Sequence, residues 1–273
     1  MFDWLSYSFI QYAFMIALII GLAAAILSPF LVLDEQALIA DGLAHVSFTG
    51  LVLGILTGGQ PLFISIPFVV LMSLLVKYLS TRKNINGDAA LGIVSTLSLS
   101  IGLIIISKSS GFNRSIESML VGSLFTVTLS EIIFSAITLV LIIVFVVLYY
   151  KPLLMMTHDA KYAKFKKVPV TFLSYTLSIL TAILISIGVR TIGTLLISSF
   201  VIFPSILGMQ FKKGFLYTLV SGLVMSVVAV VFGISFAHFL EIPAGSTIVV
   251  VYAIILLILL LFRNVIKGGG YRG

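Results

Sequence analysis

Apolar residues occur in long runs along this chain, and short polar or turn-forming stretches separate the runs. Each run approaches the roughly 20 residues that a helix needs to cross the hydrocarbon layer of a bilayer. The pattern predicts nine spanning helices, give or take one, at 10–33, 37–56, 62–79, 89–107, 131–150, 171–189, 192–210, 215–239 and 247–262. Pro204 lies inside the seventh segment, so a kinked or re-entrant piece is the alternative there.

The composition favours a membrane protein over a soluble one. Of 273 residues, 60% are apolar and 9% are charged, whereas an ordinary soluble domain carries about 25% charged residues. We therefore expect an all-α, polytopic transmembrane helix bundle of about eight or nine spans, forming a single domain over residues 1–273. Cysteine is absent, which excludes disulfides and thiolate metal sites, so any metal must be held by oxygen and imidazole nitrogen.

The positions of the basic residues indicate the orientation of the chain, and the net charge of +7 is not interpreted as a nucleic-acid signal. Thirteen of the 16 Lys and Arg residues lie in four regions, at 77–83, 151–167, 212–213 and 263–272. Under the positive-inside rule these regions are cytoplasmic. Alternation of the spans then predicts a cytoplasmic C-terminus and, with nine spans, an external N-terminus.

The second apolar segment contains an aspartate and a histidine, Asp41 and His45, at a spacing of four residues. This spacing places both side chains on one helical face, one turn apart. An ionisable group at this depth costs about 2.5 to 3.5 kcal/mol on insertion scales, so it needs a partner or a cavity. The pair could supply half of a site for a divalent first-row metal, or it could satisfy itself or a neighbouring helix. Small residues of the same segment, such as Gly42 and Gly50, predict close packing against another helix.

The region 151–170 carries five lysines and predicts a short amphipathic helix at about 160–165. It could serve topology alone, but a transporter driven by a separate motor would need a docking element of this kind. Asp88, at the start of the fourth apolar segment, is expected to act as a helix N-cap.

Five short motifs, in order along the chain, resemble those of the zinc, manganese and iron permeases of ABC transporters. The stretch Ala40-Asp41-Gly42-Leu43-Ala44-His45 is similar to the Gly/Ser-Asp-x-Leu-Ser-His segment of that family. The others are at 88–93, similar to Asp-x-x-Ile-Gly, at 118–123, at 193–196 with Phe203-Pro204-Ser205, and at 243–246, similar to a Pro-x-Gly turn. Two positions depart from the family pattern: Asp34-Glu35 stands where basic residues are usual, and Lys167 stands where the coupling segment usually has a glycine.

The resemblance implies the membrane permease subunit of an importer in a prokaryotic cell membrane. It implies a homodimer or pseudodimer of permeases, two cytoplasmic ATPase subunits, and an extracellular or periplasmic metal-binding protein that delivers the ion. It places Asp41 and His45 on the metal pathway, and two copies would supply two carboxylates and two imidazoles. The ATPase coupling segment would then be Asp159, Ala160, Lys161, Tyr162 and Ala163.

Three functions are compatible with a polytopic membrane protein of this kind. The leading hypothesis is import of zinc or manganese powered by a partner ATPase, because the chain has no phosphate-binding loop of its own. The alternative is a secondary metal-ion transporter or channel that acts alone, which would be expected to carry more carboxylates in its spans. An intramembrane metalloprotease is disfavoured, because the sequence has no His-Glu-x-x-His motif. No catalytic residues and no bound cofactor are predicted, since the metal is cargo. Zinc is preferred over manganese as the transported ion by a small margin.

Overall fold

The computed structural model describes residues 7–58, 60–82, 85–109 and 124–268, and this part of the chain is almost entirely helical. The helices are α1 (Ser8–Leu33), α2 (Ile39–Leu56), α3 (Pro61–Arg82), α4 (Gly87–Lys108), α5 (Leu129–Leu148), α6 (Tyr150–His158), α7 (Ala160–Phe165), α8 (Val170–Ile192), α9 (Thr194–Met209), α10 (Phe215–Leu240) and α11 (Ala244–Gly268). A short 3₁₀ turn, Leu124–Thr126, precedes α5. The motif at 118–123 lies outside the described residues.

The predicted spanning segments all correspond to helices. Eight of the described helices are long and apolar enough to cross a membrane, namely α1 to α5, α8, α10 and α11. The seventh predicted segment is α9, an apolar helix of 16 residues that contains Pro204. At 1.5 Å per residue it is about 24 Å long, shorter than a hydrocarbon core of about 30 Å. The all-α polytopic bundle is therefore confirmed, and α9 is the one element whose length distinguishes it from the other spans.

Three helices form the centre of the bundle, and the others surround them. Most residues of α1, α2 and α8 are buried, whereas α3, α4, α5, α10 and α11 each leave a broad apolar face exposed. On one side α2 packs against α3, α4 and α8; on the other, α1 packs against α9 and α10, and α10 against α11. Contacts of α1 with α5 and of α2 with α9 join the two sides. Exposed apolar faces of this kind are expected where lipid replaces water as the solvent.

Helix ends are defined by local capping. Thr128 and Glu131 form a reciprocal capping box at the start of α5, and the Asp159 carboxylate accepts hydrogen bonds from the first turn of α7. The expectation that Asp88 caps α4 is wrong. The N-cap is Asn86, because the helix begins at Gly87, and Asp88 lies in its first turn.

Several helices end with a charged residue in the left-handed backbone region. Among the described residues, those with positive φ other than glycine are Glu35, Lys167, Lys212 and Glu241. The amide of Gln36 donates to the Leu31 carbonyl, and the amide of Val168 donates to the Ala163 carbonyl, which is the Schellman pattern that usually requires glycine. Lys167, at the position where the resembled family has glycine, therefore adopts the backbone conformation of a glycine.

Candidate functional site

One side of α2 packs against α3 so closely that two of its positions leave no room for a Cβ. A Cβ added to Gly50 would lie 2.8 Å from the Cα of Ser65, and one added to Gly54 would lie 2.6 Å from the Cα of Pro61. The Ser65 hydroxyl is 3.3 Å from that of Ser47 and 2.9 Å from that of Ser186, so a chain of buried hydroxyls joins α2, α3 and α8. Small residues and interhelical hydroxyl bonds are the usual means of fixing helices in a membrane. These contacts fix α2 against α3 and α8.

A second side of α2 packs against α4. A Cβ on Gly42 would lie 2.5 Å from the side chain of Leu91, and one on Gly102 would lie 2.6 Å from the Thr49 hydroxyl. That hydroxyl donates to the Ser98 carbonyl at 2.6 Å. The prediction that small residues pack this segment closely is confirmed, with contacts to two helices.

The remaining face of α2 is open in a single copy of the chain, and it carries the predicted pair. The side chain of Asp41 is 63% exposed and that of His45 is 38% exposed, although nearly all other positions from Ile39 to Gly54 are buried. Leu38, one turn before Asp41, is exposed on the same face. Uncompensated polar groups are costly in a bilayer, so this face must be covered by another protein surface or must border water.

The two side chains of the pair converge. The Nε2 atom of His45 is 3.9 Å from the Oδ2 atom of Asp41, while Nδ1 of His45 is buried and has no hydrogen-bond partner. An ion bound to both at metal-ligand distances of about 2.1 Å, with a tetrahedral angle, would separate nitrogen and oxygen by about 3.4 Å. A small rotation of either side chain closes that difference. The pair can therefore act as two of the ligands of a first-row divalent ion.

The described residues provide no third ligand next to this pair. Among them, no group of three or more His, Cys, Asp and Glu side chains is close enough to hold an ion. A four-coordinate site at Asp41 and His45 would thus need two ligands from outside the described part of the chain.

The predicted coupling segment lies on the short helix α7, which packs against α6 and α8. Asp159 caps α7 by accepting hydrogen bonds from the amides of Lys161, at 2.8 Å, and Tyr162, at 3.0 Å. Ala163 is fully buried, whereas Tyr162 is half exposed and Phe165 is 80% exposed. Helix α7 thus combines a buried anchor with an exposed aromatic and basic surface. The predicted helix at 160–165 is confirmed.

A polar cavity of about 540 Å³ opens at the end of the bundle that the charge pattern predicts to be cytoplasmic. Its walls include Asp34, Glu35, Lys77 and Asp88. Burial raises the pKa of the Asp34 carboxyl, and this effect is opposed by the nearby charge of Lys77 and by a hydrogen bond from Gln36.

One ion pair was not anticipated from the sequence. The Nε atom of Arg190, in the last turn of α8, is 3.7 Å from Oε1 of Glu131, in the first turn of α5. Oε2 of Glu131 accepts from the amide of Thr128 at 2.8 Å and from its hydroxyl at 3.0 Å. The only sequence signal was a basic residue outside the predicted cytoplasmic regions. The pair joins two helices at the predicted external end.

Comparisons with known proteins match nearly the whole chain. The family model described as the ABC 3 transport family matches residues 6–263. The chain is 29% identical over 270 residues to a probable iron transport system membrane protein of Haemophilus influenzae, covering 97% of this chain and 99% of that protein. It is 24% identical over 247 residues to the manganese transport system membrane protein MntC of Halalkalibacterium halodurans, covering 90% and 85%.

The fold matches a solved structure as well. The structure titled PsaBC from Streptococcus pneumoniae in complex with Fab superposes with a TM-score of 0.83 at 24% identity, covering 94% of this chain and 93% of that one. At this level of identity the likeness concerns the fold, which is that of a multi-pass membrane protein.

Proposed function

Because this chain belongs to the ABC 3 transport family, we propose that it is the membrane permease subunit of an importer that moves a divalent first-row metal ion into the cytoplasm. The observation that carries this proposal is the open face of α2, where Asp41 and His45 converge on a helix that is otherwise buried. Ionisable side chains inside a membrane are energetically costly and mark substrate pathways. A carboxylate with an imidazole suits a divalent first-row metal ion.

A second copy of the chain completes the site in this proposal. Facing copies of α2 across a two-fold axis would bring together two carboxylates and two imidazoles, which is a full set for a four-coordinate ion. The same arrangement would cover Leu38 and the rest of the exposed face. The absence of a third ligand among the described residues supports a site that is incomplete in one copy.

The cargo in this proposal is manganese or zinc. Both ions accept carboxylate and imidazole ligands, and geometry and availability decide between them. Relatives from Halalkalibacterium halodurans and Streptococcus gordonii are named as manganese systems, which favours manganese over the zinc preferred from the residues alone. Uptake assays with both metals distinguish the two.

The energy would come from a separate ATPase, two copies of which would bind the cytoplasmic side of the dimer, and a metal-binding protein would deliver the ion outside. The sequence has no phosphate-binding loop, and α7 offers a surface for docking, with Lys161 and Tyr162 exposed beside the buried Ala163. Lys161→Glu and Tyr162→Ala should uncouple ATP hydrolysis from uptake and leave the bundle folded. If ATP hydrolysis stays coupled to uptake in both variants, α7 is not the docking element for the ATPase.

The test of the proposal is uptake of radioactive manganese and zinc into cells that express the complete transporter. Asp41→Asn removes the charge at constant size, and His45→Ala removes the nitrogen ligand, so each should abolish most uptake while the subunits still assemble. Glu241→Gln and His238→Ala are matched controls at the predicted external end of α10 and should transport normally. Uptake at the wild-type rate in Asp41→Asn and His45→Ala would show that the pair does not bind the transported ion and has a structural role only. Uptake that persists without a functional ATPase would favour a stand-alone transporter.

A further inference from the structure

A break in the helical path separates α6 from α5. Helix α5 ends at Leu148 and α6 begins at Tyr150, and Tyr149 between them has φ −112° and ψ 22°, outside the helical region. Pro152 accounts for the break, because a proline ring clashes with the carbonyl four residues earlier, which here belongs to Leu148. Helix α5 therefore does not run straight into α6, and the sideways contacts of α6 determine which helices follow its movement.

Helices α6 and α7 form one packed unit. They pack against each other, and α6 also packs against α1. Leu153 and Met156 of α6 and Ala163 of α7 are all buried. Closely packed apolar side chains have low compressibility and transmit strain. A displacement of α7 is therefore shared by α6 and passed on by the residues at the edge of the unit.

Three aromatic rings, which we call the aromatic relay, connect this unit with the ends of two spanning helices. The ring of Tyr150, the first residue of α6, lies 6.0 Å from that of Phe215, the first residue of α10. The ring of Phe215 lies 4.9 Å from that of Phe30, which is fully buried in the last turn of α1. Aromatic pairs attract each other at ring separations of about 4.5 to 7 Å. The relay thus joins α6, α10 and α1 at the predicted cytoplasmic end.

The end of α1 is tied in turn to the start of α2. The amide of Gln36 donates to the carbonyl of Leu31 at 2.8 Å, and the amide of Ile39 donates to the carbonyl of Gln36 at 3.1 Å. Ile39 is the first residue of α2, and Asp41 lies in the same turn. A shift of the end of α1 is therefore passed to the part of α2 that carries the candidate metal pair.

We propose that the aromatic relay of Tyr150, Phe215 and Phe30 passes movement of the α6–α7 unit to α1 and α2, and that Tyr150 is the positioning residue of this link. The proposal rests on the proposed function, in which a separate ATPase docks at α7, and it adds the route from that surface to the metal pair. Coupling between distant sites travels through packed side chains and rigid elements. The competing route runs through α8, which follows α7 in the chain and packs against α2.

The ratio of metal taken up to ATP hydrolysed tests the relay, because this ratio falls when movement is lost although the ATPase still binds and works. The complete transporter, with its ATPase and metal-binding protein, is reconstituted in proteoliposomes and supplied with manganese. Tyr150→Ala and Phe215→Ala each remove a ring, whereas Tyr150→Phe removes the hydroxyl alone. Phe172→Ala is the matched control, since Phe172 of α8 forms a ring pair of similar separation, 5.9 Å, with Tyr149 outside the relay.

Tyr150→Ala and Phe215→Ala should lower the ratio about fivefold or more, the size of a typical coupling between sites, while the ATPase stays bound and continues to hydrolyse ATP. Tyr150→Phe and Phe172→Ala should keep the wild-type ratio. A cysteine pair, Tyr150→Cys with Phe215→Cys, uses the absence of native cysteine from the chain. Its ratio should be low while the thiols are reduced and should rise when a short bifunctional thiosulfonate joins α6 to α10.

Three results would overturn the relay. The first is an unchanged ratio in Tyr150→Ala and Phe215→Ala. The second is an equal loss in Phe172→Ala, which would assign the movement to α8, and the third is a bridged cysteine pair whose ratio stays low. If an alanine variant does not assemble, Tyr150→Leu and Phe215→Leu are measured instead, with the same expected fall. The proposed function is judged separately, by uptake in the unmodified transporter and its loss in Asp41→Asn and His45→Ala, so the two failures are distinguishable.

Discussion

The ion pair between Glu131 and Arg190 leads to a prediction about stability. Arg190→Met removes the guanidinium but keeps much of the apolar length, leaving a carboxylate that is 7% exposed without its counter-charge. At 3.7 Å two unit charges attract by about 4.5 kcal/mol when the effective dielectric constant is about 20. Removing one partner of a buried pair costs about 3 to 5 kcal/mol. Two hydrogen bonds from Thr128 and the amino end of α5 still stabilise the carboxylate. We therefore expect a loss of about 2 to 3 kcal/mol.

The assay is a double-mutant cycle on the purified protein, with reversible unfolding followed in mixed micelles. Glu131→Gln removes the charge and keeps the capping geometry, because glutamine also serves at this position of a capping box. It should cost less than Arg190→Met, since Arg190 is partly exposed at the helix end and can reach water. The double variant should lose clearly less than the sum of the two single losses. Losses that add to within about 0.5 kcal/mol would show that the two charges do not stabilise each other and would refute the reasoning.

Three further predictions concern packing, backbone conformation and orientation. Gly50→Ala should destabilise the bundle by about 1 to 3 kcal/mol, because the new Cβ meets the α3 backbone. The control Gly92→Ala, whose Cβ meets nothing within 4 Å, should be neutral or slightly stabilising. Equal unfolding midpoints for the two variants would contradict this prediction. Lys167→Gly should stabilise by up to about 1 kcal/mol by relieving a φ of 61°, and Lys167→Ala, which keeps the Cβ, should give no such gain in the same unfolding assay. Cysteines at Lys164 and Lys213 should react with an impermeant thiol reagent in inverted vesicles only; labelling in intact cells would reverse the predicted orientation.

The hydrophobic pattern predicted the helices because the period and length of apolar runs are local properties. The same is true of α7, whose predicted bounds agree with the structure, and of the convergence of Asp41 with His45, which follows from their spacing. The expected cap at Asp88 failed because α4 begins earlier, at Gly87.

The contacts between distant segments could not be predicted from one sequence. Glu131 and Arg190 belong to helices separated by the whole of α6 and α7, and nothing in either segment specifies its neighbour. The same holds for the hydroxyl chain centred on Ser65. The open face of α2 is likewise a property of the assembled bundle, because it depends on which sides α3 and α4 cover.

The charged residues at left-handed helix ends have a consequence for the height of the helices in the bilayer. Glu35 follows α1, Lys212 follows α9 and Glu241 ends α10, and these three helices pack against one another. Glycine would adopt the same turn without strain but would carry no charge, whereas a charge drawn to the middle of the bilayer costs about 2.5 to 3.5 kcal/mol. Each of these charged turns therefore favours a position at the boundary between lipid and water. Together they set the vertical register of this half of the bundle, so that α9, too short to span by itself, is held at a fixed depth by its neighbours.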